Sequence, residues 1–103
     1  MADIIHLSYE PLRFEYDQSK SDSNETKHGI DFEEAQRLWD DERRVVVSAR
    51  TCDEKREAII ARHGGQYWTA IFTMRAERIR IISVRRSTSK EVSRYDRENN
   101  DRR

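Results

Sequence analysis

Charge and grease alternate through Arg78-Ile79-Arg80-Ile81-Ile82-Ser83-Val84-Arg85-Arg86. A period of two puts Ile79 and Ile81 on one face of a strand and Arg78 and Arg80 on the other. A bulge at Ile82-Ser83 would let Arg85 join another face. Residues 67–74 alternate Trp68, Ala70, Phe72 and Met74 against Tyr67, Thr69, Ile71 and Thr73. Core packing is the favoured reading of Trp68 and Phe72. Two more strands are predicted at 44–49, around Val45-Val46-Val47, and at 57–62, around Ile59-Ile60. Gly64-Gly65 is a hairpin signal, and Arg75-Ala76-Glu77 is a short turn. Connections this short favour an antiparallel meander.

The first part of the chain reads differently. Residues 12–16 after Pro11 form a short alternating strand, and Asp17 can cap a helix directly after it. Residues 18–28 contain no large apolar side chain, so a helix there is solvated or held by its ends. Gly29 suits the residue just past its end. Asp31 caps a second helix with Glu33 and Glu34 in its first turn. Phe32, Ala35, Leu38 and Trp39 follow at helical spacing as a core stripe, which Asp40-Asp41-Glu42 ends. Thr88 and Glu91 form a capping-box pattern that opens a last helix to about Glu98, with fraying expected from Asn99 to Arg103. The order strand, helix, helix, four strands, helix predicts an α+β fold.

Composition adds limits. A chain of 103 residues with 35% hydrophobic and 39% charged residues is read as one domain, with a lean core under a charged surface. Flexible ends are expected at 1–8 and 99–103. The net charge of zero argues against a nucleic-acid partner, but the charge is unevenly placed. Residues 1–57 hold 9 Lys and Arg against 15 Asp and Glu, and residues 58–103 hold 11 against 5. A neutral chain can present a basic face if these halves separate in space. The lone Cys52 fits a reducing compartment and reads as a plain thiol. No run approaches a membrane span and no signal peptide is evident, so a cytoplasmic location is expected.

The arginines supply candidate chemistry. Guanidinium forks match phosphate oxygens and stay charged. Arg80 and Arg85 are the main candidates for touching the phosphate of an RNA or DNA backbone, with Arg75, Arg78 and Arg86 as further phosphate-binding groups. A solvated strand face is the plainer reading, and Arg85 can instead be tied to a helix end or a carboxylate. No metal site is expected. Asp40-Asp41-Glu42 reads as a solvated turn, and His6, His28 and His63 lack ligand spacing. No cofactor is implied.

The chain resembles the BrnT family of bacterial toxins from type II toxin–antitoxin systems. The resemblance covers about residues 13–96. It rests on Phe14-Glu15-Tyr16-Asp17, Lys20, Asn24-x-x-Lys27-His28-Gly29, Phe32-x-Glu34-Ala35, Asp40, Arg56 and Gly65. It continues through Arg75-x-x-Arg78-Ile79-Arg80-Ile81-Ile82-Ser83-x-Arg85 to Glu91 and Tyr95. Tyr16 stands where Trp is usual, Glu25 where an apolar residue is frequent, and Ala61 where Gly is typical. The resemblance implies a RelE-like fold, with a sheet of about four to five strands and two to three helices. It implies a ribonuclease that stops translation and growth by cutting RNA. It also implies a ribbon-helix-helix antitoxin of the BrnA type, two copies of each protein in the complex, and operator DNA bound through the antitoxin to repress the operon.

RNA cleaves itself without metal when a base takes the 2′-hydroxyl proton, an acid protonates the leaving 5′-oxygen, and cations stabilise the phosphate. Lys27, His28, Arg80, Arg85 and Tyr95 are the catalytic candidates. His28 could be base or acid, Lys27 a phosphate-holding cation, and Tyr95 a donor to phosphate or a stacking ring. The plain readings stay open. Lys27 and His28 can decorate a helix C-terminus, Tyr95 with Val92 can pack the last helix on the sheet, and Glu91 can be a cap. The alternative function is a non-catalytic module that binds RNA or a partner through the same basic face.

Overall fold

The computed structural model describes residues 12–49 and 55–100. The expectations for Cys52, for residues 1–8 and for 101–103 lie outside the described residues. The elements are β1 (Phe14–Glu15), α1 (Gln18–His28), α2 (Phe32–Ala35) continuing as a 3-10 turn (Gln36–Asp40), β2 (Val45–Ala49), β3 (Arg56–His63), β4 (Gln66–Arg75), β5 (Arg78–Arg86) and α3 (Ser89–Asn100). The sheet order is β1-β5-β4-β3-β2. β1 runs parallel to β5, and the other pairs are antiparallel. The fold is α+β, as the order of elements predicts.

Local signals set the helix ends. Asp17 accepts hydrogen bonds from the Ser19 and Lys20 N–H groups, and Gly29 closes α1 at φ 81°. The Asp31 carboxylate accepts from the Glu34 N–H. Thr88 and Glu91 complete a reciprocal box: the Glu91 carboxylate accepts from the Thr88 N–H at 2.8 Å, and the Thr88 hydroxyl accepts from the Glu91 N–H at 3.2 Å. The two-residue turns Gly64-Gly65 and Ala76-Glu77 close the hairpins. Ala76 adopts φ 55°, an unusual conformation for a residue with a Cβ.

The two sheet faces differ. One carries the main core, in which Phe32, Ala35, Leu38 and Trp39 meet Ile59, Ala61, Ala70, Phe72, Ile79, Ile81 and Val84. Trp39 makes edge contacts with Phe14 and Phe72, at 5.1 and 5.2 Å between ring centroids. Met74 ends the apolar alternation of β4 but is exposed. On the other face α3 covers only part of the sheet, packing Tyr95 on Val45, Ile60, Val47 and Tyr67.

α1 lacks an apolar face and is held by hydrogen bonds. Strand β1 pairs only with Ile79 and Arg80, which leaves the later edge of β5 open. The buried Asn24 carboxamide fills that edge. Its Oδ1 accepts from the Val84 N–H at 3.1 Å, and its Nδ2 donates to the Val84 and Ile30 carbonyls, each at 2.9 Å. Ser21 Oγ accepts from the Phe32 N–H at 2.8 Å.

Two local expectations change. Fraying does not begin at Asn99. That residue stays buried in α3, and its Nδ2 donates to the carbonyls of Tyr95 and Arg43. The turn at 40–42 is not uniformly solvated either, because Asp41 ties three elements together. It accepts from the Arg43 and Arg62 N–H groups and from the Tyr95 hydroxyl.

Candidate nucleic-acid interface

The geometry of β5 decides which arginines share a face. Ile71 pairs with Ser83 and Phe72 with Ile81, so Ile82 is an extra residue and the strand bulges there. The bulge shifts the side-chain alternation by one. Ile79, Ile81 and Val84 therefore all face the main core. Arg78, Arg80 and Arg85 then share the opposite face, the one that α3 only partly covers. Without the bulge, Arg85 would point at the core.

Two carboxylates from flanking elements hold the inner arginines. Arg80 Nη1 lies 3.3 Å from Glu15 Oε2 of β1, with both side chains about one-third exposed. Arg85 binds Glu91 of α3 through two parallel hydrogen bonds of 2.8 and 2.9 Å. Glu91 also accepts from the Thr69 hydroxyl and the Thr88 N–H. The Arg85 fork, above all, draws the Glu91 carboxyl down to about 2, against a burial cost that acts upward. Glu91 is thus an ionised anchor for Arg85, not a base. Arg85 is held in one orientation, and its side chain stays partly exposed.

Arg75 and Arg78 face each other across the exposed β4–β5 turn, on the arginine face. Arg86 departs from the group. It follows Val84 in alternation, and its guanidinium sits 5.6 Å from the Trp68 ring centre.

A family model described as "Ribonuclease toxin, BrnT, of type II toxin-antitoxin system" matches residues 16–91. The chain belongs to this family. A search of curated proteins finds no match. Membership in the BrnT family makes this a ribonuclease toxin, with RNA as its substrate class and an antitoxin as its partner. The matched span of the BrnT family runs from the end of β1 to Glu91, so it contains the bulge and the Arg85–Glu91 pair. No helix among the described residues is long and apolar enough to cross a membrane.

Of the remaining candidates, Lys27 and His28 lie on α1, and Tyr95 lies on α3, against the same sheet face as the arginines. Lys27 and His28 are exposed on the last turn of α1, and their side chains make no hydrogen bond or ion pair among the described residues. His28 stands one turn beyond Asn24, which fixes that helix to Val84, the neighbour of Arg85. Tyr95 is buried, and its hydroxyl donates to Asp41 at 2.7 Å. Burial, then the Asp41 carboxylate, hold its proton well above the usual phenol range. The ring is therefore committed to docking α3. Sequence reasoning missed Asn24, Asp41 and Glu15 as organisers of this region. Asn24 and Glu15 carried a signal in their family motifs, though not of their partners; for Asp41, nothing local marked the partner.

Proposed function

We propose that this chain is a metal-independent endoribonuclease whose substrate lies across the Arg78, Arg80 and Arg85 face. One observation carries the reading. A single-residue bulge turns Arg85 onto the face of Arg78 and Arg80, inside the span that matches a ribonuclease family. Pre-oriented guanidinium groups suit the charge that grows on phosphate during 2′-hydroxyl attack. Arg80 and Arg85 stabilise that charge, and Arg75 and Arg78 hold the flanking backbone. His28, with Lys27 beside it at the end of α1, is assigned proton transfer where substrate runs past β5 toward that helix, since an imidazole can both take and give a proton. Tyr95 serves by fixing α3, and through it Glu91 and Arg85. The antitoxin is of the BrnA-like ribbon-helix-helix kind, binding as two copies with two toxins and repressing the operon through operator DNA.

The test incubates purified, antitoxin-free protein with bulk RNA in EDTA, beside His28→Ala and Arg80→Ala. Cleavage by the wild type alone, leaving 2′,3′-cyclic phosphate and 5′-hydroxyl ends, is the expected result. Strict magnesium dependence or 5′-phosphate products would refute the mechanism. Wild-type binding without cleavage, lost in Arg80→Ala, would favour the binding-module alternative. That alternative draws support from the carboxylates that already occupy Arg80 and Arg85.

A further inference from the structure

Beside the three arginines lies a second feature, which shares only Glu91 with the proposed cleavage site. A cleft of about 460 Å³ opens between α3 and the β2–β3 pair, lined by Val47, Ile60, Ser93, Lys90, Arg94 and Arg97 among others. Its floor is aliphatic. Its helical wall carries cations at positions 90, 94 and 97, spaced to share one side of α3. Of these, Arg94 is paired with Glu98 at 2.6 Å, while Lys90 and Arg97 make no ion pair among the described residues. Strand β2 ends the sheet, so its outer main-chain groups have no strand partner among the described residues.

We infer that this cleft docks an acidic segment of the antitoxin, with an aliphatic side chain seated on Val47 and Ile60. The inference deepens the toxin reading and rests on it, because family membership supplies the partner. The lining decides between protein and RNA. Single-stranded RNA is bound by stacking bases on aromatic rings, and this floor offers none. An aliphatic floor beneath a row of cations matches a peptide that alternates apolar and acidic residues, and an open strand edge can add main-chain hydrogen bonds. A segment seated here would lie next to Glu91, and so beside the arginine that Glu91 holds. Antitoxin occupancy would thus reach the edge of the cleavage face.

The experiment measures antitoxin affinity by titration calorimetry for the wild type, Lys90→Glu/Arg97→Glu and Arg78→Glu, with RNA cleavage assayed in parallel. The double reversal is expected to weaken antitoxin binding at least about tenfold while cleavage stays within about twofold. Arg78→Glu is expected to impair cleavage more than antitoxin binding. Unchanged antitoxin affinity in the double variant would overturn the proposal. So would a loss of cleavage with affinity intact, which would make the cleft part of the RNA path. Amide exchange on the wild-type complex gives an answer even if the double variant fails to fold. Protection of β2 and the first turns of α3 is expected, and protection confined to the β4–β5 turn would refute it. Failure of the cleavage mechanism alone, with no RNA cut in EDTA, would leave the affinity and exchange results standing.

Discussion

At the scale of single residues, a few polar side chains do work that the lean core cannot. Asn24 satisfies both main-chain groups of Val84 with one carboxamide. Asn24→Ala would strand those groups at a buried edge, and a stability loss of about 2–4 kcal/mol is expected in urea unfolding. A loss below about 0.5 kcal/mol would mean that water replaces the side chain there. Glu91 gives a pH signature. Its carboxyl titrates at about 2 when folded, against an ordinary value of 4.5. As pH falls, the unfolded chain takes up this proton first, so the stabilisation is complete above about 4.5 and disappears between there and about 2. Asp41 is shifted in the same direction: burial opposes ionisation, but the hydrogen bonds from Arg62, Arg43 and Tyr95 outweigh it. Because Arg85 is 39% exposed, the Glu91 contribution is discounted to about 1–2 kcal/mol. Glu91→Gln is expected to lower the urea midpoint at pH 7 and to approach the wild type near pH 3. A deficit independent of pH would contradict this account.

At the scale of elements, ends and irregularities matter more than regular interiors. The caps at Asp17, Gly29, Asp31 and Thr88 were legible because each interaction closes within a few residues of sequence. The core stripe of α2 was legible for the same reason, though its second half winds as a 3-10 turn. The contacts that dock α3 were not legible, because Tyr95 meets Asp41 and Asn99 meets Arg43 across more than fifty residues. The β4–β5 turn forces Ala76 to φ 55°, which costs a residue with a Cβ and costs glycine little. Ala76→Gly is therefore expected to raise stability by up to about 1 kcal/mol, read as a higher urea midpoint. An unchanged or lower midpoint would show that the extra freedom of glycine in the unfolded chain cancels the relief.

At the scale of the molecule, the neutral net charge hides a basic sheet face. Arg78, Arg80 and Arg85 come from the basic second half, and Glu15 of the acidic first half reaches in to brace Arg80. The halves thus meet as well as separate. The exposed Arg78 has no ion-pair partner among the described residues, which suits a phosphate contact. Arg78→Ala is expected to weaken RNA binding and to flatten its dependence on salt by about 0.7 in log–log slope, the share of one phosphate contact. Fluorescence anisotropy with a single-stranded RNA across a salt series checks this. An unchanged slope would place Arg78 off the RNA path.

Features that depend on neighbours in the chain were written in the amino acids themselves: the alternation of the strands, the helix caps, the turns and the family motifs. Ile82-Ser83 was also marked there as a place where a bulge would reassign Arg85. Whether the bulge forms was settled by the folded sheet, because strand register depends on which side chains β4 and the core accept opposite β5. Folding also chose the partners of the charged and polar groups. Glu15 with Arg80, Asp41 with Tyr95 and Asn24 with Val84 are set by where the sheet brings distant segments together, and an isolated side chain carries no record of that address.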